Sequence, residues 1–422
     1  MPEATEAPAR QPAVFTIPSH RSFADALVAG LLARFGTEPT TLAAGRILLP
    51  NNRAVRSITD AFVRASGGGL VLPRLIPIGD PELEERVGGA LDLADTEDQP
   101  PPAVEPLARL LALAELVRGE NEGAAEALRM ASDLGRTLDA LLIEEVEPAR
   151  LKDAVVEDLA RHWQVSLDRL RAIVKQWPER LGDLGAIDLA ERRNLLLHRL
   201  AKRWSREPPT GFTVAAGVTT AAPAVAELVR TVAYMPGGLV VLPGLSLPSS
   251  VPDAEWDALG PDETGRGEET HPQFHLKLLL GRLGINRAEV RLWPRAGRAS
   301  SPPARGRAVA NAMAAADFSH KWNALKPADR RLSGIRVAEL SDPAAEAQAI
   351  SLGIRQALEV PGKTIAFVTP DRVLARRVSA LLARWGWKQT TAPAARLRSC
   401  PRGRFSWRSR RRWPNPWRQC RC

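Results

Sequence analysis

The chain has 422 residues, 45% of them hydrophobic, enough to bury a large core and divide into two or three globular units, which excludes disorder throughout. The formal charge of +10 is concentrated at one end: 11 of the 58 Lys and Arg lie from Trp387 to Cys422, a stretch without Asp or Glu, leaving residues 1–386 with 47 basic against 48 acidic side chains. The same stretch holds all three cysteines (Cys400, Cys420, Cys422), so the body carries neither disulfide nor thiolate cluster and suits a reducing cytoplasm, and no apolar run approaches the roughly 18 residues of a membrane span.

Residues 1–12 are Pro-, Ala- and Glu-rich and read as a disordered N-terminus. From residue 13 short buried runs alternate with helical spacing. Ala13–Ile17 predicts a strand and Ser22–Phe35 a helix; Arg46–Leu49 predicts a second strand and Ala54–Ala65 its helix; Val71–Pro77 predicts a third strand. Strands of this kind, apolar on both sides and separated by helices, imply a parallel sheet covered on both faces, an α/β architecture. Over about 106–204 the chain turns to long Leu- and Ala-rich amphipathic segments (Pro106–Arg118, Ala124–Leu142, Leu151–Trp177, Asp188–Trp204). The α/β alternation resumes with Thr213–Ala216, Ala222–Tyr234 and Leu239–Leu242, so one α/β domain over 13–295 with a helical insertion explains the order, and His271–Leu283 predicts a further helix. Residues 296–334 open on a Pro-, Arg- and Ser-rich run and read as a linker. Over 335–386, Ile335–Leu340 and Thr364–Thr369 predict strands, and Ala344–Leu358 and Asp371–Trp385 helices. Two strand–helix units leave a sheet too small and open-edged to stand alone, so this second α/β domain reads as incomplete.

The turn after the first strand is where a nucleotide-binding α/β domain places its phosphate loop. Here it reads Ser19-His20-Arg21-Ser22, with no glycine to wrap a phosphate and no lysine for the terminal phosphoryl groups. It predicts a degenerate phosphate-loop position, at which Ser22 caps the helix or Arg21 meets an anion. Pro361-Gly362-Lys363-Thr364 has phosphate-loop letters in the wrong order, helix before and strand after, and reads as a helix stop and turn. No acidic pair ends a strand to hold magnesium: Asp80 and Asp342 are isolated, and Glu82, Glu84 and Glu85 suit a solvated helix start. Of the histidines His20, His162, His198, His271, His275 and His320, only His271 and His275 have helical spacing, without a third ligand nearby. No catalytic residue and no metal site is expected. Possible DNA contacts occupy the strand-to-helix turns: Asn51, Asn52, Arg53 and Arg56 after the second strand, Thr219 and Thr220 after the fourth, and Thr369, Arg372 and Arg376 in the second domain, with Arg377 beside them. Such residues equally serve as caps.

The runs Val14–Phe35, Arg46–Phe62, Phe212–Leu242 and Pro361–Gly386 resemble, in order, the N-terminal half of the AddB family in its alphaproteobacterial form, over about residues 13–386. The resemblance implies RecA-like, P-loop NTPase-like domains of the superfamily I helicase kind around a helical insertion. It also implies a subunit that pairs with the AddA helicase-nuclease and processes DNA double-strand breaks for recombination. ATP, magnesium and an iron-sulfur cluster belong to the full family complex; in this branch the AddB phosphate loop is degenerate, and the C-terminal nuclease domain has no counterpart in this sequence. The expectation is a helicase-like DNA-binding scaffold with no cofactor of its own, AddA and DNA as partners, no membrane, and a cytoplasmic location. The Arg-, Trp- and Cys-rich stretch 387–422 reads as a frameshifted, truncating tail. The alternatives are a free-standing nucleic-acid binder acting through that tail and, more distantly, an unrelated nucleotide-dependent enzyme.

Overall fold

A computed structural model describes residues 11–36, 38–66, 69–79, 100–118, 123–146, 173–262, 265–294, 300–361, 363 and 365–387. The chain divides into two compact units at Ile335/Arg336.

The first unit is built on a six-stranded, all-parallel sheet: β1 (Val14–Ile17), β2 (Arg46–Leu49), β3 (Arg74–Pro77), β4 (Thr213–Ala216), β5 (Gly238–Pro243) and β6 (Arg291–Leu292), in the order β3-β2-β4-β5-β1-β6. β1, β2 and β4 are buried at every residue, and alternate side chains serve opposite faces. Phe15, Ile17, Ile47, Leu49, Val214, Ala216, Leu239 and Val241 pack with α1 (Phe23–Phe35) and α3 (Asn52–Ser66), while the short α2 (Pro39–Ala43) adds Leu42. Val14, Leu48, Ile76, Ala215, Val240 and Leu242 pack on the other side. Each such fully buried Leu, Ile or Val contributes about 2 kcal/mol through removal from water.

The predicted helical insertion follows β3 in the chain. Its helices α4 (Pro106–Val117) and α5 (Ala124–Ile143), with a helical segment over 173–183, close around a separate cluster that includes Leu113, Val117, Ala131, Leu138, Val174, Trp177 and Leu181. Much of the predicted Leu151–Trp177 helix lies outside the described residues. The polar centre of this block is Asp188. It accepts a hydrogen bond from Trp177 Nε1 (2.6 Å), and Arg109 Nε stands 2.6 Å from its Oδ1 as an ion pair without hydrogen-bond alignment. α6 (Leu189–Arg206) then leads back to the sheet, where Leu197, Leu200, Ala201 and Trp204 join α7 (Pro223–Tyr234) and α9 (Phe274–Leu283) on the second face; α8 (Asp253–Ala258) lies between β5 and α9 in the chain.

The chain departs from the sequence reading in several places. The two-residue edge strand β6 was not anticipated. The stretch read as linker contains α10 (Pro303–Ala312), a nine-residue 3-10 segment at Ala316–Ala324 and a short 3-10 turn at Pro327–Arg330. In the second unit α11 (Pro343–Leu358) and α12 (Arg372–Arg384) pack through Ala347, Leu374, Val378 and Leu382, but neither 335–340 nor the described part of 364–369 is a strand. A strand exists only as part of a ladder. Among the described residues these segments have no ladder partner, and Val337 and Val368 are 87% and 88% exposed. Among the described residues the second unit is therefore a helix pair with two segments outside any ladder, and the predicted strands are not formed there. Residues 1–10 and 388–422 lie outside the described residues.

Candidate nucleic-acid interface

In a parallel sheet every strand presents its carboxyl end at the same edge. The chain leaves β1 and β2 toward the α1/α3 face and leaves β4 and β5 toward the α7/α9 face. Since β1 neighbours β5 and β2 neighbours β4, two reversals of direction fall at this edge, where open α/β sheets bind ligands.

The turn after β1 is held from several sides. Arg21 N–H donates to the Pro18 carbonyl (3.0 Å), closing the turn. The buried Thr16 hydroxyl donates to the Leu242 carbonyl (3.2 Å) and accepts from Leu245 N–H (3.1 Å), tying β1 to the turn after β5. The His20 carbonyl accepts from the N–H groups of Ser300 (2.9 Å) and Ser301 (3.1 Å) and from the Ser300 hydroxyl (2.9 Å). Ser19 is wedged between two glycines: a methyl group on Gly244 would come within 3.6 Å of its Cβ, and one on Gly306 within 3.6 Å of its Oγ. The chain's own residues 300–306 thus lie against the turn.

The charge at the start of α1 opposes an anion. Ser22 is the N-cap residue, yet its hydroxyl donates to Asp25 Oδ2 (2.7 Å) rather than accepting from the helix backbone. Burial raises the Asp25 pKa, but hydrogen bonds from Arg64 (2.6 Å) and Ser22 outweigh it and hold the carboxyl below its ordinary range. A carboxylate therefore already sits in the first turn, the place a helix dipole would offer to a phosphate. His20 is pushed down by burial and then by the positive charges of Arg21 and Arg307, so its ring is neutral at pH 7. With no glycine or lysine in the turn, a neighbouring segment against it and an acid at the helix start, this donor set does not fit a triphosphate.

The turns after β1, β2 and β4 converge. A methyl group on Gly217, which has φ +70°, would lie 3.3 Å from the Phe23 ring and 3.9 Å from Pro50. Asn51 Oδ1 accepts from Ala54 N–H (3.0 Å) and so caps α3, with Asn52, Arg53 and Arg56 exposed on its first turns. Thr219 and Thr220 are exposed, and the Thr220 hydroxyl accepts from Ala222 N–H (3.3 Å). The structure thus brings Ser19, His20, Arg21, Ser22, Asn51, Asn52, Arg53, Arg56, Thr219 and Thr220 to one edge of one sheet. Thr369, Arg372 and Arg376 belong to the second unit, where the Thr369 hydroxyl accepts from Asp371 N–H (3.1 Å), Asp371 caps α12 through Val373 N–H (2.7 Å), and Arg376 Nε donates to the Arg372 carbonyl (3.3 Å). Arg372 and Arg376 are exposed.

The remaining titratable residues resolve as follows. Asp342 caps α11, accepting from Ala344 (2.8 Å) and Ala345 (2.9 Å) N–H, and these bonds hold its carboxyl low. Lys363 N–H donates to the Val360 carbonyl (3.2 Å) in the turn after α11; Gly362 and Thr364 lie outside the described residues. Asp80, Glu82, Glu84, Glu85, His162, Cys400, Cys420 and Cys422 also lie outside them. α9 begins at Phe274, so His271 precedes the helix and does not share a helical face with His275. Among the described residues no group of three or more His, Cys, Asp or Glu is placed to hold a metal ion, and no helix is long and apolar enough to cross a membrane. One titratable cluster escaped the sequence reading: His198 lies between Glu145 and Glu227, residues far apart in sequence and without motif spacing. No family model matches this chain, and no curated protein matches it significantly.

Proposed function

We propose that this chain is the helicase-like, DNA-binding scaffold part of an AddB-type subunit, working with an AddA helicase-nuclease in the cytoplasm on DNA double-strand breaks destined for recombination. The proposal includes a RecA-like identity for the α/β unit. The observation that carries it is the turn at Ser19–Ser22. It follows the first strand of a parallel α/β sheet, as a motor's phosphate loop does, yet it is packed against the chain's own residues 300–306 and faces a carboxylate at Asp25. That combination suits a subunit that keeps a motor's architecture and leaves ATP hydrolysis to its partner.

DNA is contacted through the carboxyl edge of the sheet, where the exposed Arg53 and Arg56 stand at the start of α3, after β2, and the exposed Thr219 and Thr220 follow the neighbouring strand β4. Phosphate contacts release counterions, each adding about 0.9 to the slope of log affinity against log salt. Replacing Arg53 and Arg56 by Gln in the full chain is expected to lower that slope by about 2 and weaken binding similarly for all sequences. The second reading, a free-standing nucleic-acid binder, is favoured by the 11 basic residues of 387–422. If binding is unchanged by Arg53→Gln/Arg56→Gln but lost when the arginines of 387–422 are replaced by Gln, that reading replaces the first.

A further inference from the structure

We propose that His198 is a proton-dependent clamp fastening the helical insertion to the sheet-covering helices of the first unit. The inference does not rest on the proposed DNA role. α5 ends at Ile143. Two residues on, Glu145 takes φ +53°, the left-handed region, and among the described residues no other non-glycine residue has a positive φ. From there its Oε1 lies 2.5 Å from His198 Nε2, on α6, while the other ring nitrogen, Nδ1, meets Glu227 Oε2, on α7.

The chemistry of this arrangement fixes the state of the ring. A carboxylate only accepts hydrogen bonds, and a neutral imidazole carries one N–H, so two carboxylates on two ring nitrogens are both satisfied only by the imidazolium. A neutral ring would turn a lone pair toward one of them and release either the end of α5 or α7.

Among the described residues, the other charged groups within one helical turn of these three along the chain are Glu144 after α5, Arg199 and Lys202 on α6 and Arg230 on α7, while Arg282 on α9 meets Glu144. Glu145 and Glu227 act on the ring directly. Glu144 is turned instead to Arg282 (3.0 Å), which also donates to the Ala221 carbonyl, and Asn194, one turn before His198, donates to the Leu142 carbonyl (2.7 Å). Those contacts do not pass through the ring, so deprotonation removes one fastening of several and loosens the junction without unfolding it.

Burial by itself lowers the ring's pKa, but hydrogen bonds to Glu145 and Glu227, with their charges, more than reverse this and raise it above the ordinary value of 6.5. The clamp's contribution is therefore complete below pH 6.5 and is lost as pH rises through the higher value of the folded state. The three side chains remain 35%, 32% and 49% exposed, so the proton exchanges freely with solvent.

The test uses the full chain: the NMR titration of His198, assigned with a His198→Gln variant, together with hydrogen-exchange protection factors of the backbone over 138–146 from pH 6 to 9. The ring is expected to titrate above 6.5, and protection at the end of α5 to fall through the same midpoint. Glu227→Gln, a surface change that keeps a hydrogen-bonding group, should move both midpoints downward together and carries the test by itself if His198→Gln does not fold. A ring that titrates at or below 6.5, or protection in the unsubstituted chain that does not change with pH, overturns the proposal.

Discussion

Gly30 lies in the middle of α1, where helix propensity alone would favour alanine by about 1 kcal/mol. A methyl group there would fall 2.3 Å from Trp293 Nε1, and the indole cannot retreat: its N–H donates to the Ala26 carbonyl (3.0 Å) and its ring stands edge-on to Phe15 at 5.3 Å. Overpacking of this kind costs about 1–3 kcal/mol, more than the propensity gain, so Gly30→Ala is expected to lower the urea midpoint with an unchanged slope. A raised midpoint would show that the Trp293 contact is soft. Nothing in the local sequence announces this pairing, since residues 30 and 293 meet only because β6 is laid beside β1. The polar residues in the turns that precede helices were more legible. Asn51 and Asp371 cap helices because short polar side chains at such turns reach the free N–H groups two or three residues on. The two carboxylates of the His198 clamp were illegible because a charge pair across tertiary structure has no spacing rule.

At the scale of elements, β1, β2, β4 and β5 were readable as short, mostly apolar runs, since a parallel strand buries both faces. β6 was not, because two exposed residues carry no periodicity. Segments 335–340 and 365–369 show the converse: their composition is strand-like, but strand formation needs neighbours that composition cannot supply. The helical insertion was readable from its amphipathic spacing, yet its most important polar residue was not. Asp188 is 2% exposed and holds both Trp177 and Arg109, joining the segment over 173–183 and α4 to the start of α6. Asp188→Ala leaves the largely buried Arg109 with its contacts to Asp139 (2.9 Å) and the Gly135 carbonyl (3.5 Å), and breaking such a pair costs about 3 kcal/mol. The expected result is a large loss of hydrogen-exchange protection over 106–143 with the sheet still protected. Equal loss across the sheet would mean that insertion and sheet unfold as one cooperative unit.

Over the whole molecule, the near balance of 47 basic and 48 acidic residues before Trp387 means that any DNA affinity of the body comes from placement of charge rather than its amount. The parallel sheet supplies that placement by gathering the turns after β1, β2 and β4 at one edge, and it also sets the turn after β1 against residues 300–306. Whether that turn accepts a nucleotide is the question on which the functional account depends. Isothermal titration of the full chain with ATP and magnesium answers it most directly. The account predicts no saturable heat up to an ATP concentration on the order of 1 mM, corresponding to binding weaker than about 4 kcal/mol. Micromolar, magnesium-dependent binding that is abolished by Arg21→Ala would contradict it.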